Sequence, residues 1–327
     1  MSEYQIENSS SSKEYSGQPG WEREVIEKLA LAAVTEQRKA RRWSIFFKCL
    51  LFLYLIVVLW LAVYPRFKDG LGDTSDQHTA VIDIVGMIAE DQEANAASII
   101  EGLRDAVKNQ GTQGIVLHMN TPGGSPVQSS YVYDEIRRLK KKNPELPIYA
   151  VVSDVCASGC YYIAAAADKI YVNKASIVGS IGVLMNGFGF VDTMKKLGVE
   201  RRLLIAGSHK AIMDPFSPLN PEEAGHMQTL LNQVHQQFID AVRQGRGDRL
   251  KETDGMFSGL VWTGEESVKL GLSDGFGNDD YVARELIGAK KMVNFTRQER
   301  LLDRLAGKLG ASFGHTVGSY LQNWSLR

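Results

Sequence analysis

The sequence predicts an α/β fold, a mainly parallel sheet with crossover helices, preceded by one transmembrane helix. Two observations carry this. From residue 79 onward, short aliphatic runs alternate with stretches of helical period, the pattern of strand–helix–strand crossover units. Ahead of them stands Ile45 to Tyr64, which holds a single charge, Lys48, and is long enough as a helix to cross a hydrocarbon core of about 30 Å. At 327 residues the chain exceeds one small domain and suits a large core with appendages. A net charge of -1, with 44% hydrophobic and 23% charged residues, is that of an ordinary globular protein and gives no electrostatic footprint for nucleic acid.

Residues 1–20 carry the serine run Ser9 to Ser12 and few large aliphatics, so they are expected to be a disordered cytoplasmic tail. Residues 21–44 read as an amphipathic helix with Trp21, Val25, Leu29 and Ala33 on one stripe. Residues 45–64 are the transmembrane helix, with Lys48 near enough to its start to snorkel to the headgroups. A cleaved signal peptide is the rival; the long polar lead and the absence of an A-x-A-like site favour an uncleaved anchor. Arg38, Lys39, Arg41 and Arg42 outnumber Arg66 and Lys68 across it, which puts the N-terminus in the cytoplasm and the rest of the chain on the periplasmic or extracytoplasmic side of a bacterial inner membrane. Residues 65–78 read as a linker.

In the domain that follows, strands are expected at Ala80 to Val85, Gly114 to Met119, Pro147 to Val152, Lys169 to Val172, Ile181 to Phe188 and Glu200 to Ile205. Helices are expected at Ala94 to Asn109, Val127 to Lys142 and Ser158 to Ala167. Asn220-Pro-Glu-Glu223 opens a long helix with a cap residue, a first-turn proline and acids against the dipole. Its stripe runs from Met227 to Val242. Thr263-Gly-Glu-Glu266 is a capping box for a shorter helix that stops at Gly271.

Three segments could carry chemistry. Asn120-Thr-Pro-Gly-Gly-Ser125 lies between a strand and a helix, where two glycines let backbone N–H groups approach a bound oxyanion; a plain tight turn has the same composition. Asp154-Val-Cys-Ala-Ser158-Gly159 sits at a strand-to-helix junction, at the carboxyl edge where open α/β sheets place their ligands; Ser158 could equally be a helix N-cap. Ser208-His-Lys210-Ala-Ile-Met-Asp214 is a loop with a lone lysine. A lysine acts as general base only when desolvation or positive charge brings its pKa down from about 10.4, at roughly 1.4 kcal/mol per unit. His209, with Asp214 or Asp154 as orienter, is a rival base. Cys49, Cys156 and Cys160 make no disulfide framework; the last two, near one helical turn, are expected to be buried small side chains because a regular helix seldom offers bridging geometry.

Taken in order, NTPGGS at 120–125, DVCASGCYYIA at 154–164, IVGSIGV at 177–183, HKAIMDPF at 209–216 and GLVWTGEESVKLGLSDGFG at 259–277 resemble the S49 peptidases, the signal peptide peptidase A family in its short, single-domain bacterial form. The resemblance implies a Ser/Lys dyad with Ser158 as nucleophile and Lys210 as general base. It further implies that Ser180 holds the lysine amine and that the N–H groups of Gly124 and Gly159 form the oxyanion hole. His209 matches no catalytic position. The implied fold is similar to the Clp protease and crotonase folds, and the implied assembly is a ring-shaped homo-oligomer, commonly an octamer, standing on the bilayer with its dyads completed between subunits. The implied substrates are remnant signal peptides and other unfolded apolar peptides. No cofactor or metal is implied.

On this reading residues 79–288 are the protease domain and residues 289–327 a C-terminal helical extension. Three other readings compete: a Ser/Lys membrane protease acting on a stomatin-like partner, a crotonase-type acyl-CoA enzyme, and a catalytically silent scaffold. The match around Lys210 disfavours the first. The anchor and the Ser158/Lys210 pair disfavour the second, and an intact pair disfavours the third.

Overall fold

The structure, a computed structural model, describes residues 21–70 and 76–297. The expected tail 1–20 and most of the expected extension, 298–327, lie outside the described residues. The chain divides near residue 73 into two units.

The described residues of the first unit form one helix, α1 (Trp21–Gly70). It does not stop at Tyr64: residues 65–70, expected as linker, are its last turns. Within it Glu36–Trp60 is long and apolar enough to cross a membrane; at 1.5 Å per residue that stretch spans about 37 Å, against a core of about 30 Å. The rings of Trp43, Phe46 and Phe47 gather within this stretch, with centroids 5.8 Å apart.

The second unit is built on β1 (His78–Val85), β2 (Thr112–Thr121) and β3 (Ile148–Ala157), which are parallel neighbours. The crossovers between them are α2 (Ala96–Lys108) and α3 (Pro126–Lys142). Each helix starts on a side-chain cap. Asn95 accepts from the Ser98 N–H and Ser125 from the Gln128 N–H, with Pro126 supplying the first helical turn. Ile115, Leu117 and Met119 of β2 are buried with Ile99 and Leu103 of α2 and Val132 and Ile136 of α3. The intervening Val116 joins Val151 and Tyr171 on the other face, under Val282. That alternation is the period of a strand.

The chain continues through α4 (Gly159–Ala164), β4 (Lys169–Val172), β5 (Ile177–Gly179), α5 (Val191–Leu197), α6 (Pro221–Arg246), β6 (Val261–Thr263), α7 (Gly264–Lys269), β7 (Gly275–Phe276), α8 (Asp279–Tyr281) and β8 (Met292–Asn294). The long central part of the sheet runs β6-β5-β3-β2-β1-β8, and β4 pairs with β3 and β7. Among the described strands only the β5–β6 pairing is antiparallel.

Strand β3 changes neighbours along its length. Tyr149 to Val152 pair with β4, whereas Val155 to Ala157 pair with β5. Against β2 the register runs Met119 to Val152 and then Thr121 to Cys156, so a single residue, Asn120, faces Ser153 to Val155. The Asn120 side chain holds this detour. It donates to Asp154 Oδ2 at 3.0 Å and accepts from the Val155 N–H at 3.2 Å. The bulge re-aims the end of β3, and Ser158 is the next residue.

Three expectations are corrected. Residues 181–188 and 200–205 are not strands: although β-prone, they pair with no strand among the described residues, and beyond the buried Ile181 most of their apolar side chains stand out, Phe188 at 81% and Leu204 at 98% exposure. Residues 289–297 are not helical. Met292–Asn294 adds β8 to β1 in parallel, and the Phe295 N–H donates to Val81 O, so the sheet extends past Gly288. Cys156 and Cys160 are not separate small side chains but a disulfide. Cys156 ends a strand rather than lying on a helix, and the turn at Ser158 folds the chain back so that the two Cα atoms stand 5.1 Å apart, within bridging range.

Candidate active site

At the carboxyl ends of β2 and β3 lies a cavity of about 790 Å³. It is lined by Gly123, Gly124, Ser158, Gly159 and Ser180, with Met87, Val127, Tyr162, Leu184, Val234 and Phe238 among its apolar walls. Of the five expected site residues it collects Ser158, Ser180, Gly124 and Gly159. It does not collect Lys210, which is exposed on the loop before α6.

Ser158 stands where a helix N-cap would, but makes no capping hydrogen bond. Asn95, Ser125, Asn220, Thr263 and Asn278 all make theirs. The difference is in the backbone. Ser158 has φ +52 and ψ -122, a region that costs an L-residue on the order of 1–3 kcal/mol and persists only where surroundings over-determine it. Its N–H donates to Gly179 O at 2.8 Å and its carbonyl accepts from the Tyr162 N–H at 3.0 Å. The hydroxyl has no hydrogen-bond partner among the described residues, is half-buried and lines the cavity.

The glycines pack against this turn. A Cβ on Gly123, whose φ is +101, would sit 2.8 Å from Ser158 Cβ and 2.6 Å from Ala157 O. One on Gly124 would lie 2.1 Å from Ile88 O. One on Gly159 would lie 2.5 Å from Ser129 Oγ and 3.2 Å from Gly124 N. The Gly124 and Gly159 backbones are thus close together beside Ser158. Gly159 is the first residue of α4, where N–H groups have no intrahelical acceptor. Around Gly124, the Ile88 N–H donates to Gly123 O and the Ser125 N–H to Ile88 O, leaving the Gly124 N–H unengaged among the described residues. Two unengaged donors beside a free hydroxyl are what stabilising a tetrahedral oxyanion requires.

Ser180 follows the carbonyl that Ser158 binds, has φ +52 as well, and donates its N–H to Leu260 O at 2.7 Å. The rival triad is not assembled within the chain. His209 Nδ1 lies 3.2 Å from Glu223 Oε1, Asp214 pairs with Arg201 and Ser217, and Asp154 is held by Asn120. The stripe on α6 is divided: Phe238 and Val242 are buried in their own domain, while Leu230 is exposed and Val234 lines the cavity.

Sequence reasoning missed Gly123 as the residue packed on the Ser158 turn, and the walls Met87, Tyr162 and Phe238. Gly123 and Tyr162 stood in the quoted motifs; the three walls come from three separate segments, and nothing local marks them as lining one cavity.

A family model described as Peptidase family S49 matches residues 140–293. A protein of Brucella abortus named Na(+)/H(+) antiporter NhaA is 39% identical over 68% of this chain and 30% of its own length. The chain therefore spans under a third of that protein, whose name describes the whole of it. A "Putative protease" of Methanocaldococcus jannaschii is 31% identical over 69% of this chain and 73% of its own. A "Putative signal peptide peptidase" of Enterococcus faecium is 27% identical over 68% and 66%.

Proposed function

This chain belongs to peptidase family S49, and we propose that it is a membrane-anchored serine endopeptidase whose Ser158/Lys210 dyad cleaves extended apolar peptides, remnant signal peptides foremost. One observation carries the reading. The Ser158 hydroxyl, held in a strained turn and spent on no cap, opens into an apolar cavity beside the Gly124 and Gly159 N–H groups.

In this mechanism Ser158 Oγ attacks the scissile carbonyl while its proton passes to the neutral Lys210 amine. The developing oxyanion is met by the Gly124 and Gly159 N–H groups. The lysine then gives its proton to the leaving nitrogen, and the acyl-enzyme is hydrolysed by a water that the same amine deprotonates. The Ser180 hydroxyl holds the amine in place. The apolar walls suit small and apolar side chains, and an unfolded segment enters where a folded domain does not.

A solvated ammonium cannot serve as base, and Lys210 is exposed. We therefore assign the lysine of each site to a neighbouring subunit. The segment that bears it also exposes Leu184, Phe188, Leu197, Leu204 and Leu219, a surface that a second copy would cover, desolvating Lys210 in the same contact. A homo-oligomeric ring, an octamer as the resemblance implies, satisfies both needs.

The bilayer partner is supported by α1, with its long apolar span. The basic residues Arg38, Lys39, Arg41 and Arg42 ahead of the span support a cytoplasmic N-terminus, with the catalytic unit on the far side of the inner membrane. The Cys156–Cys160 disulfide supports the same side, since such bonds persist in oxidising compartments. The direct test is full chain in detergent with a synthetic signal peptide. Cleavage by the native chain and none by Ser158→Ala is expected; equal rates would remove Ser158 from the mechanism.

A further inference from the structure

The nucleophile turn is enclosed by a covalent ring. Cys156 and Cys160, four residues apart, are bonded to each other with Ser158 midway between them. Cys156 belongs to the sheet, pairing with Thr121 on β2 and Val178 on β5. Cys160 belongs to α4. The bond therefore ties strand to helix across the one residue whose conformation the hydroxyl's freedom depends on. We propose that this disulfide is a positioning device for Ser158, so that a competent site is the product of folding in an oxidising compartment. The proposal rests on Ser158 being the nucleophile.

Three considerations favour positioning over general stabilisation. Loop-closure stabilisation grows with the length of the loop closed, and a ring this short gains least from it. A strained serine needs several restraints to persist; besides the bridge, the backbone offers the bonds to Gly179 and from Tyr162. Both cysteines are fully buried, and reduction would replace a bond of about 2 Å by a non-bonded contact of about 3.5–4.0 Å between two sulfurs inside a close-packed core. The turn carrying Ser158 would have to move.

The chemistry is ordinary thiol–disulfide exchange. One cysteine thiolate attacks the disulfide of an exchange partner, a protein or small-molecule disulfide, and forms a mixed disulfide. The second thiolate displaces the partner. The two protons given up by the cysteine thiols are taken up by the partner's two sulfurs, and the partner leaves carrying the two electrons as thiols. Because both sulfurs end up buried, exchange must precede the packing of α4. A chain kept in a reducing compartment would then hold two thiols and a slack nucleophile turn, and would not cleave peptides before reaching its station.

The test uses full chain in detergent. Alkylation in denaturant, read by mass, should modify one cysteine, Cys49, before reduction and all three after it. Native protein refolded with oxidised glutathione is compared with the same protein refolded in dithiothreitol, and with Cys156→Ser/Cys160→Ser. The disulfide-free forms should keep their circular dichroism and assembly and lose on the order of 10²-fold in kcat, as a misplaced nucleophile does, with KM within about two-fold. Three alkylated cysteines before reduction would overturn the proposal, as would equal kcat. Failure of both disulfide-free forms to fold would make the bond a general staple, which overturns it too. If instead oxidised native protein and Ser158→Ala are equally inactive while the cysteine count is as expected, it is the reading of Ser158 that has failed, and the positioning role falls with it.

Discussion

The Ser158 N–H donates to the carbonyl of Gly179 at 2.8 Å, which puts Ser180, the next residue, beside Ser158. Ser158 and Ser180 share a positive φ of 52°. This single hydrogen bond joins the end of β3 to the end of β5, so two serines from different strands enter one cavity. If Ser180 steadies the incoming lysine, Ser180→Ala should lower kcat by about 10- to 100-fold while KM stays nearly constant. Steady-state kinetics on a signal peptide decide it; an unchanged kcat would leave Ser180 with a purely structural part.

Gly124→Ala should lose on the order of 10²–10³-fold in kcat, the usual effect of losing an oxyanion donor. The added methyl would stand 2.1 Å from Ile88 O, so the loop must shift. Gly86→Ala is the control for positive φ alone, since its φ is +85 and nothing lies near its Cβ. Circular dichroism should show both variants folded, and a Gly124→Ala enzyme as fast as the Gly86→Ala one would contradict the assignment.

Lys210→Ala should abolish turnover, by on the order of 10³-fold or more, as for removal of one member of a nucleophile–base unit. His209→Ala should retain most of it, because the His209 ring engages Glu223 rather than the cavity. The opposite ranking in a peptide-cleavage assay would revive a histidine base.

Stability in acid should report on Glu135. This carboxylate is buried on α3 and held at about 2, first by its hydrogen bond from Arg138 and then by Arg104, against the desolvation that opposes it. A lowered pKa means that the ionised form favours the folded state. Its contribution is present in full above the ordinary value of 4.5 and is lost as pH falls through about 2. Thermal melts should show Glu135→Gln less stable than the native chain at pH 7, the gap closing between pH 4.5 and 2. A gap that does not change with pH would mean the pair contributes by packing alone.

Much of this architecture was legible because it is local. Cap residues and aliphatic runs marked the helices and strands from His78 to Val172, and the motif glycines fell at the sheet's carboxyl edge. What was not legible depends on partners distant in sequence. Residues 181–188 and 200–205 are β-prone, but pairing needs a neighbouring strand, and none of the described residues provides one. Met292 to Asn294 is too short to read as a strand without β1 to receive it. The disulfide was hidden for a further reason: Cys156 and Cys160 have helical spacing, and only the turn at Ser158, which separates strand from helix, brings their sulfurs together. For Lys210 sequence resemblance supplies a role, but folding of one chain leaves the side chain in solvent.

That last point is the central claim, and subunit mixing tests it most directly. Ser158→Ala and Lys210→Ala chains, each inactive alone, are co-expressed with distinct tags, purified through both tags in succession, and assayed on a signal peptide. If each site takes its serine from one chain and its lysine from the next, some interfaces will pair an intact Ser158 with an intact Lys210, and partial activity returns. Doubly tagged assemblies as inactive as either parent would contradict the shared site and require both residues from one chain.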